Sequence, residues 1–195
     1  MEINTNILYG PKLEHRCEVS LTINQKGQIT TIKEKPSPNA LDLTTYLALP
    51  GLINAHTHVG DAFAKEACLG LTVQDAVGSK GYKWELLDTV AASIQKQSIK
   101  DTLDYMLASG TTTFIDFREQ GDEGVRILMD AAAESPIKKI ILGRSIKNEK
   151  VDGLGINLEH LAVLPQDEEG ILFVHAGEEE GEVEVALQHH PNAIV

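Results

Sequence analysis

Two histidines one residue apart, His56 and His58, follow an apolar stretch at residues 46–55 that Pro50-Gly51 interrupts. We expect this stretch to form a strand buried on both faces. In an extended chain, side chains i and i+2 point to the same side, with Cα atoms ~6.5 Å apart. Two imidazoles so placed can bind one metal ion through Zn–N bonds of ~2.0–2.1 Å. Two partly exposed histidines in a loop are the alternative.

A third histidine, His175, ends the apolar segment ILFVH at residues 171–175. Because chemistry in parallel α/β folds sits at the carboxyl ends of strands, His175 should lie at the same end of the sheet as the HxH pair. Glu178 follows three residues later, where its carboxylate can take a proton from water and pass it to a departing nitrogen. The alternative is a buried structural histidine before glutamates that favour a helix start.

The elements that position these residues alternate between strands and helices after residue 48. This order predicts a parallel α/β sheet, either an open doubly wound sheet or a (β/α)8 barrel. The sequence contains no GxGxxG motif, so nothing favours a dinucleotide-binding fold. Further strands are predicted at 111–117, 138–144, 153–157 and 171–177, and helices at 85–109 with a slip near Gln97, at 122–132 with Asp122 as its cap, at 159–164 and at 182–189.

Residues 1–48 have a different pattern of short strands. The segments CEVSLTI (17–23) and QITTIKE (28–34) flank a turn at Gly27 and predict a β-hairpin. Pro36 and Pro38 end this pattern. We therefore expect two domains, a small β domain at 1–48 and an α/β domain at 49–195.

The composition restricts the class of partner. The 195 residues carry a net charge of −12, which argues against general binding to nucleic acid or to anionic membranes. There are two cysteines, no apolar run of the ~20 residues that span a membrane, and no signal-peptide pattern. We expect a cytoplasmic protein that acts on a small molecule.

Other polar residues near strand ends are open to two interpretations. Asp116, Arg118 and Glu119 could line a pocket or pair with one another as structure. Asp61, Lys65 and Trp84 flank a segment at 59–83 that is long enough to form part of a substrate lid.

The motifs together resemble one superfamily. PGLINAHTH at 50–58 is similar to the first-strand signature of the amidohydrolase superfamily, whose members are metal-dependent (β/α)8 barrels. HAGE at 175–178 resembles the fifth-strand motif of its deaminase branches, and GTTTFIDF at 110–117 resembles their second strand. The strands before residue 48 resemble the first part of the family's small β-sandwich.

This resemblance implies roles for four residues. His56, His58 and His175 would be ligands of one divalent metal ion, zinc or alternatively iron, and Glu178 would be the proton shuttle. No lysine ends the strand at 153–157, so a single metal fits better than the binuclear form. The implied enzyme hydrolyses C–N bonds and deaminates a cyclic amidine or nucleobase-like compound. Hydrolysis of an amide or cyclic amide is the alternative.

The chain also departs from the family pattern. The family completes its site with a histidine after strand six and an aspartate after strand eight, whereas residue 195 falls where strand six would begin. We expect a barrel truncated after five strands, as the first part of a longer protein or as a short form. A non-catalytic chain that forms a homo-oligomer or needs a C-terminal partner is a third interpretation. His189 and His190, at a helix end, do not supply the missing ligand.

Overall fold

The computed structural model describes residues 1–144, 151–161, 163–164, 170–177 and 180–195. The chain divides into two compact units, Met1–Gly51 and Leu52–Val195. Among the described residues, no helix is both long enough and apolar enough to cross a membrane.

The N-terminal unit is a four-stranded sheet in the order β3-β2-β1-β4. The pairs β1–β2 and β2–β3 are antiparallel, and β4 runs parallel to β1. The predicted hairpin around Gly27 is confirmed, and this residue has a φ of +75°, which favours glycine. The strands are β1 (Glu2–Tyr9), β2 (Glu14–Ile23), β3 (Ile29–Lys33) and β4 (Leu41–Ala48).

The C-terminal unit contains a curled five-stranded parallel sheet, which is the first part of a barrel. Its strand order, β5-β6-β7-β8-β9, follows the chain order, as the predicted barrel requires. Beyond β9, Ile194 forms a parallel bridge with Phe173, at the position where a sixth strand was expected. The strands are β5 (Leu52–Thr57), β6 (Thr111–Arg118), β7 (Lys138–Gly143), β8 (Gly153–Asn157) and β9 (Ile171–His175).

Helices connect these strands and cover the sheet. The described helices are a 3₁₀ helix (Val59–Ala64), α1 (Val73–Val77), α2 (Tyr82–Thr89), α3 (Ala92–Ala108), α4 (Gly121–Ala131), α5 (Leu158–Leu161) and α6 (Glu182–His189). On α3, Ile99, Leu103 and Met106 recur at helical spacing and pack in one core cluster with Phe114 of β6 and Leu128 of α4. This cluster fixes β6 beneath the two helices, and the carboxyl end of β6 carries part of the candidate site.

Three predicted elements were wrong in detail. The stretch 46–55 is not one buried strand, because Pro50-Gly51 separates β4 from β5, which belong to different sheets. All side chains of β5 except that of Thr57 are exposed, and Ile53 retains 66% of its accessible surface.

The helix predicted at 85–109 is two helices that meet at Val90–Ala91 rather than slipping near Gln97. Both Val90 and Ala91 have extended backbone conformations, which end α2 and begin α3. Asp122 is not the cap of α4 but lies in its first turn, since the N-cap is Gln120 in the left-handed region, with a φ of +64°.

Candidate functional site

Three imidazoles converge at the carboxyl ends of the parallel strands. His56 lies near the end of β5, His58 follows that strand, and His175 ends β9. The three Nε2 atoms form a triangle with sides of 3.3 Å (56–58), 3.2 Å (58–175) and 3.0 Å (56–175). Because β5 and β9 are the outermost strands of the five, only a strongly curled sheet can bring these side chains into contact.

The ring of Phe117, on β6, forms an apolar floor beneath the three imidazoles. Its centroid lies 4.6 Å from that of His56, 5.4 Å from that of His58 and 4.2 Å from that of His175. The Phe117 ring is buried, and Gly155 of β8 leaves the space that the ring occupies. A Cβ atom at position 155 would lie 2.5 Å from the Phe117 ring.

We therefore expect Gly155→Ala to disturb the candidate site through Phe117. The added methyl group must push the ring toward the imidazoles or distort β8, at a cost of about 1–3 kcal/mol in stability. Chemical denaturation and zinc titration of the purified variant would measure both effects. Adding Phe117→Leu should relieve the overlap, so the double variant should lose less than the sum of the two single losses. Additive losses would show that the ring is not the element displaced.

Buried polar contacts hold the turn that follows β5. The backbone N–H of Val59 donates to Asp116 Oδ1 at 2.7 Å. The Thr57 hydroxyl lies 2.9 Å from the carbonyl oxygen of Ile115 and 3.2 Å from the same Asp116 oxygen. Burial raises the pKa of Asp116, although the charge of Arg118 opposes this shift. These contacts fix the backbone on both sides of His58 and so direct its ring.

A carboxylate stands directly behind His58. Glu119 Oε1 lies 2.7 Å from His58 Nδ1 and 2.7 Å from Lys83 Nζ. Lys83 Nζ also lies 3.0 Å from Asp61 Oδ2, and Arg118 Nη2 lies 3.5 Å from Glu119 Oε2. Burial opposes ionisation of Glu119, but the His58 hydrogen bond and the Lys83 charge outweigh it and hold the pKa of this carboxyl well below its usual range.

His175 has a cation behind it instead. Arg144, which follows β7, places Nη1 3.1 Å from His175 Nδ1 and donates from Nη2 to Asn157 Oδ1 at 2.7 Å. Burial, with the charge of Arg144 and the other two imidazoles, lowers the pKa of His175 to about 3. Burial and the charge of His58 lower that of His56 as well. Both rings are therefore neutral near pH 7, the form that binds metal ions.

The three Nε2 atoms could hold one metal ion. Two nitrogens that bind one tetrahedral ion at ~2.0–2.1 Å are ~3.3–3.4 Å apart, close to the observed sides of the triangle. The Glu119 carboxylate can only accept a hydrogen bond, so Nδ1 of His58 carries the proton. In the neutral ring the lone pair is then on Nε2. The Nε2 triangle and the tautomer of His58 therefore fit a divalent metal ion.

A cavity of about 630 Å³ opens in front of this cluster, a volume typical of small-molecule sites. Its wall combines the three imidazoles with charged, amide and aromatic side chains, among them Asp61, Lys83, Trp84, Arg144 and Asn157.

Of the four predicted site residues, the structure brings His56, His58 and His175 together. Glu178 lies outside the described residues. Asp61 and Trp84 line the cavity, whereas Asp116, Arg118 and Glu119 are buried behind it, so the pairing interpretation of these last three applies. His189 ends α6 and His190 is buried after it.

The sequence interpretation did not identify Lys83, Phe117, Arg144 and Asn157 as parts of the site. Phe117, Arg144 and Asn157 lie at or just beyond the carboxyl ends of β6, β7 and β8, so the strand-end rule could have found them. Lys83 lies on α2, and no local pattern connects it to Glu119.

A parallel half-barrel with histidines converging at the carboxyl ends of its strands is the arrangement of barrel hydrolases. The chain belongs to the amidohydrolase family, whose model matches residues 47–193. A relative from Methanothermobacter thermautotrophicus, which carries the name "Putative aminohydrolase", is 33% identical over 144 residues, 72% of this chain and 37% of that protein.

Solved structures of the same fold include enzymes of different specificity. The 5-methylcytosine deaminase from Klebsiella pneumoniae matches 97% of this chain and 55% of its own, with a TM-score of 0.67 and 14% identity. A Xaa-Pro dipeptidase matches 96% and 59%, with a TM-score of 0.65 and 15% identity. At these identities the likeness concerns the fold. The chain spans 37%, 48% and 56% of the length of three curated relatives.

Proposed function

We propose that this chain carries the first part of the active site of a metal-dependent hydrolase that cleaves C–N bonds. His56, His58 and His175 would hold one divalent ion, zinc or alternatively iron. The observation that carries the proposal is the triangle of Nε2 atoms, with sides of 3.0–3.3 Å, at the carboxyl ends of β5 and β9. Membership of the amidohydrolase family supports a hydrolase.

The proposed reaction is deamination of a cyclic amidine or nucleobase-like compound. A bound zinc ion would supply Lewis acidity and lower the pKa of water toward ~7. Glu178 would take the proton of the attacking water and return it to the departing nitrogen, as a carboxylate general base does. The HAGE motif at 175–178 supports this choice over hydrolysis of an amide or cyclic amide.

The neighbouring groups suit a flat, polar ring as substrate. Phe117 closes the floor under the imidazoles, so the substrate must enter from the cavity side. There Arg144 and Asn157 present donor and amide groups to the cavity, and the Trp84 ring offers an aromatic face. Arg144 can donate to a carbonyl oxygen or ring nitrogen, which fixes the orientation of such a compound.

We propose further that the remaining ligands come from outside these 195 residues, from a later part of a longer chain, a C-terminal partner or a second copy. Among the described residues β5 pairs only with β6, and Ile194 begins a parallel pairing beside β9. Both observations support this proposal, because the sheet can be extended at either side. A cytoplasmic location also stays a proposal, supported by the small number of cysteines.

An ammonia-release screen tests the reaction. The zinc-loaded protein, in its full natural length, should release ammonia from at least one member of a panel of nucleobases, pterins and cyclic amidines. The Glu178→Gln variant should keep its zinc and lose about 10²–10⁴-fold in rate, the usual contribution of a general base. Ring opening or amide cleavage without ammonia would favour the alternative hydrolase. A zinc-loaded protein that neither releases ammonia nor opens a ring nor cleaves an amide would contradict a hydrolase.

A further inference from the structure

We propose that Glu119, held by Lys83, is a positioning residue for His58 and sets how tightly the candidate site binds metal. The inference rests on the proposed metal site, and it assigns to two buried residues a role that the family motifs in the sequence do not contain. It starts from the side of the His58 ring that faces away from the cluster.

The His58–Glu119 contact fixes which ring nitrogen carries the proton. The distance from His58 Nδ1 to Glu119 Oε1 is 2.7 Å. A carboxylate oxygen only accepts, so the proton must be on Nδ1. In the neutral ring Nε2 is then unprotonated, and Nε2 is the atom that lies 3.3 Å from His56 Nε2 and 3.2 Å from His175 Nε2. Without the acceptor, the ring could adopt the other tautomer or turn away.

Glu119 is suited to this role because it is buried and flanked by two cations. Its side chain has no exposed surface. Lys83 Nζ lies 2.7 Å from the same oxygen that accepts from His58, and Arg118 lies 3.5 Å from the other oxygen. Both cations can only donate to the carboxylate, so its oxygens face donors on every contacted side. Because Lys83 and His58 share Oε1 and Arg118 lies at Oε2, the carboxylate cannot rotate without losing a charged hydrogen bond.

Lys83 connects this pair to the wall of the cavity. It lies on α2, its side chain is 8% exposed, and its Nζ atom bridges Glu119 and Asp61 at 2.7 and 3.0 Å. Lys83 therefore neutralises Glu119 from the segment that also carries Trp84. Its Nζ atom is 3.4 Å from His58 Nδ1, which is long for a hydrogen bond. An ammonium group also cannot accept a hydrogen bond from Nδ1, so Lys83 cannot replace the carboxylate.

The other two imidazoles lack this support within the described part of the chain. The Nδ1 atom of His175 faces the guanidinium of Arg144, and the ring bonds to the backbone of Ile156. The His56 ring packs against the floor ring of Phe117, with centroids 4.6 Å apart. Among the described residues a carboxylate partner is thus specific to His58, and its removal should affect one ligand of the three.

Zinc affinity measured by competition with a chromophoric chelator tests the proposal. Glu119→Met, which removes the hydrogen-bond acceptor, should weaken zinc binding by about 10–100-fold, the range for partners that orient a metal ligand. Lys83→Met should weaken it less, because the His58–Glu119 hydrogen bond remains. Glu123→Met, at an exposed glutamate paired with Arg126 on α4, is the matched control and should leave zinc affinity unchanged. Wild-type affinity in Glu119→Met would overturn the proposal, as would a larger loss in Lys83→Met.

The tautomer of His58 gives a readout that a merely structural role would not change. Imidazole ¹⁵N NMR of the metal-free wild-type protein should show the proton of His58 on Nδ1, and Glu119→Met, which offers no acceptor, should shift it partly to Nε2. A wild-type ring protonated on Nε2 would overturn the positioning role without any variant. If the wild-type protein binds no metal but shows the Nδ1 tautomer, the proposed metal site fails while the positioning of His58 stands.

Discussion

Replacing His175 with alanine should abolish stoichiometric zinc binding, with a loss of affinity greater than about 100-fold. Losing a group that only orients a ligand costs about 10–100-fold, so losing a ligand from a three-nitrogen site should cost more. In the wild-type protein, zinc at 100 times its Kd should stabilise the fold by about 2.7 kcal/mol, and this gain should vanish in the variant. Metal analysis after gel filtration and thermal denaturation with and without zinc measure the two effects.

The same experiment separates a metal site from a structural histidine. In chelator, His175→Ala should lose only the stability that comes from its contacts with Phe117 and the Ile156 backbone, and added zinc should widen the gap to the wild type. His15→Ala, at an exposed histidine of β2, should change neither quantity. Equal zinc content in the wild type and His175→Ala would remove the proposed site. A loss of stability that zinc does not influence would make His175 a structural residue.

Most of the barrel sheet could be predicted because its strands carry local signals. Residues 111–118 are mostly β-branched or aromatic, Gly110 stands before them, and α3 and α4 present periodic apolar faces. The predictions failed where tertiary context decides. Leu52 and Ile53 are apolar, but they lie on the outermost strand of the curled sheet and are exposed. The break at Val90–Ala91 has no Gly or Pro to indicate it, so periodicity alone extended one helix across it.

The three candidate ligands could also be predicted, because strand ends and the i, i+2 spacing are local properties of the sequence. The residues that surround these ligands could not be predicted from the sequence. Lys83 and Glu119 are 36 positions apart and meet only because α2 lies beside the residues that follow β6. Phe117 has the sequence signature of an ordinary core residue, and its position under the imidazoles depends on Gly155 of a different strand. Such pairings depend on the curvature of the sheet, which single-sequence patterns do not encode.

Arg118→Met should cost about 3–5 kcal/mol in stability, the usual effect of removing one partner from a buried ion pair. The Arg118 side chain is fully buried, with its Nη1 and Nη2 atoms 3.5 Å from Asp116 and from Glu119. Gly60 has no Cβ atom where this guanidinium lies. Methionine fills much of the volume but leaves two buried carboxyl groups with less compensating charge. Urea denaturation followed by Trp84, the only tryptophan, reports on the unit that contains the site.

Arg126→Met is the matched control, because Arg126 also contacts two carboxylates, Glu123 and Asp130, but on the exposed surface of α4. It should cost about 1 kcal/mol or less.

The stability loss in Arg118→Met should depend on pH with a definite sign. Burial raises the pKa of Asp116 and Arg118 opposes this, so removing Arg118 raises it further. The folded variant then binds a proton more readily than the unfolded chain, and its deficit against the wild type should shrink as the pH falls. A deficit that is equal for both arginines, or that grows in acid, would contradict a buried charge network behind the imidazoles.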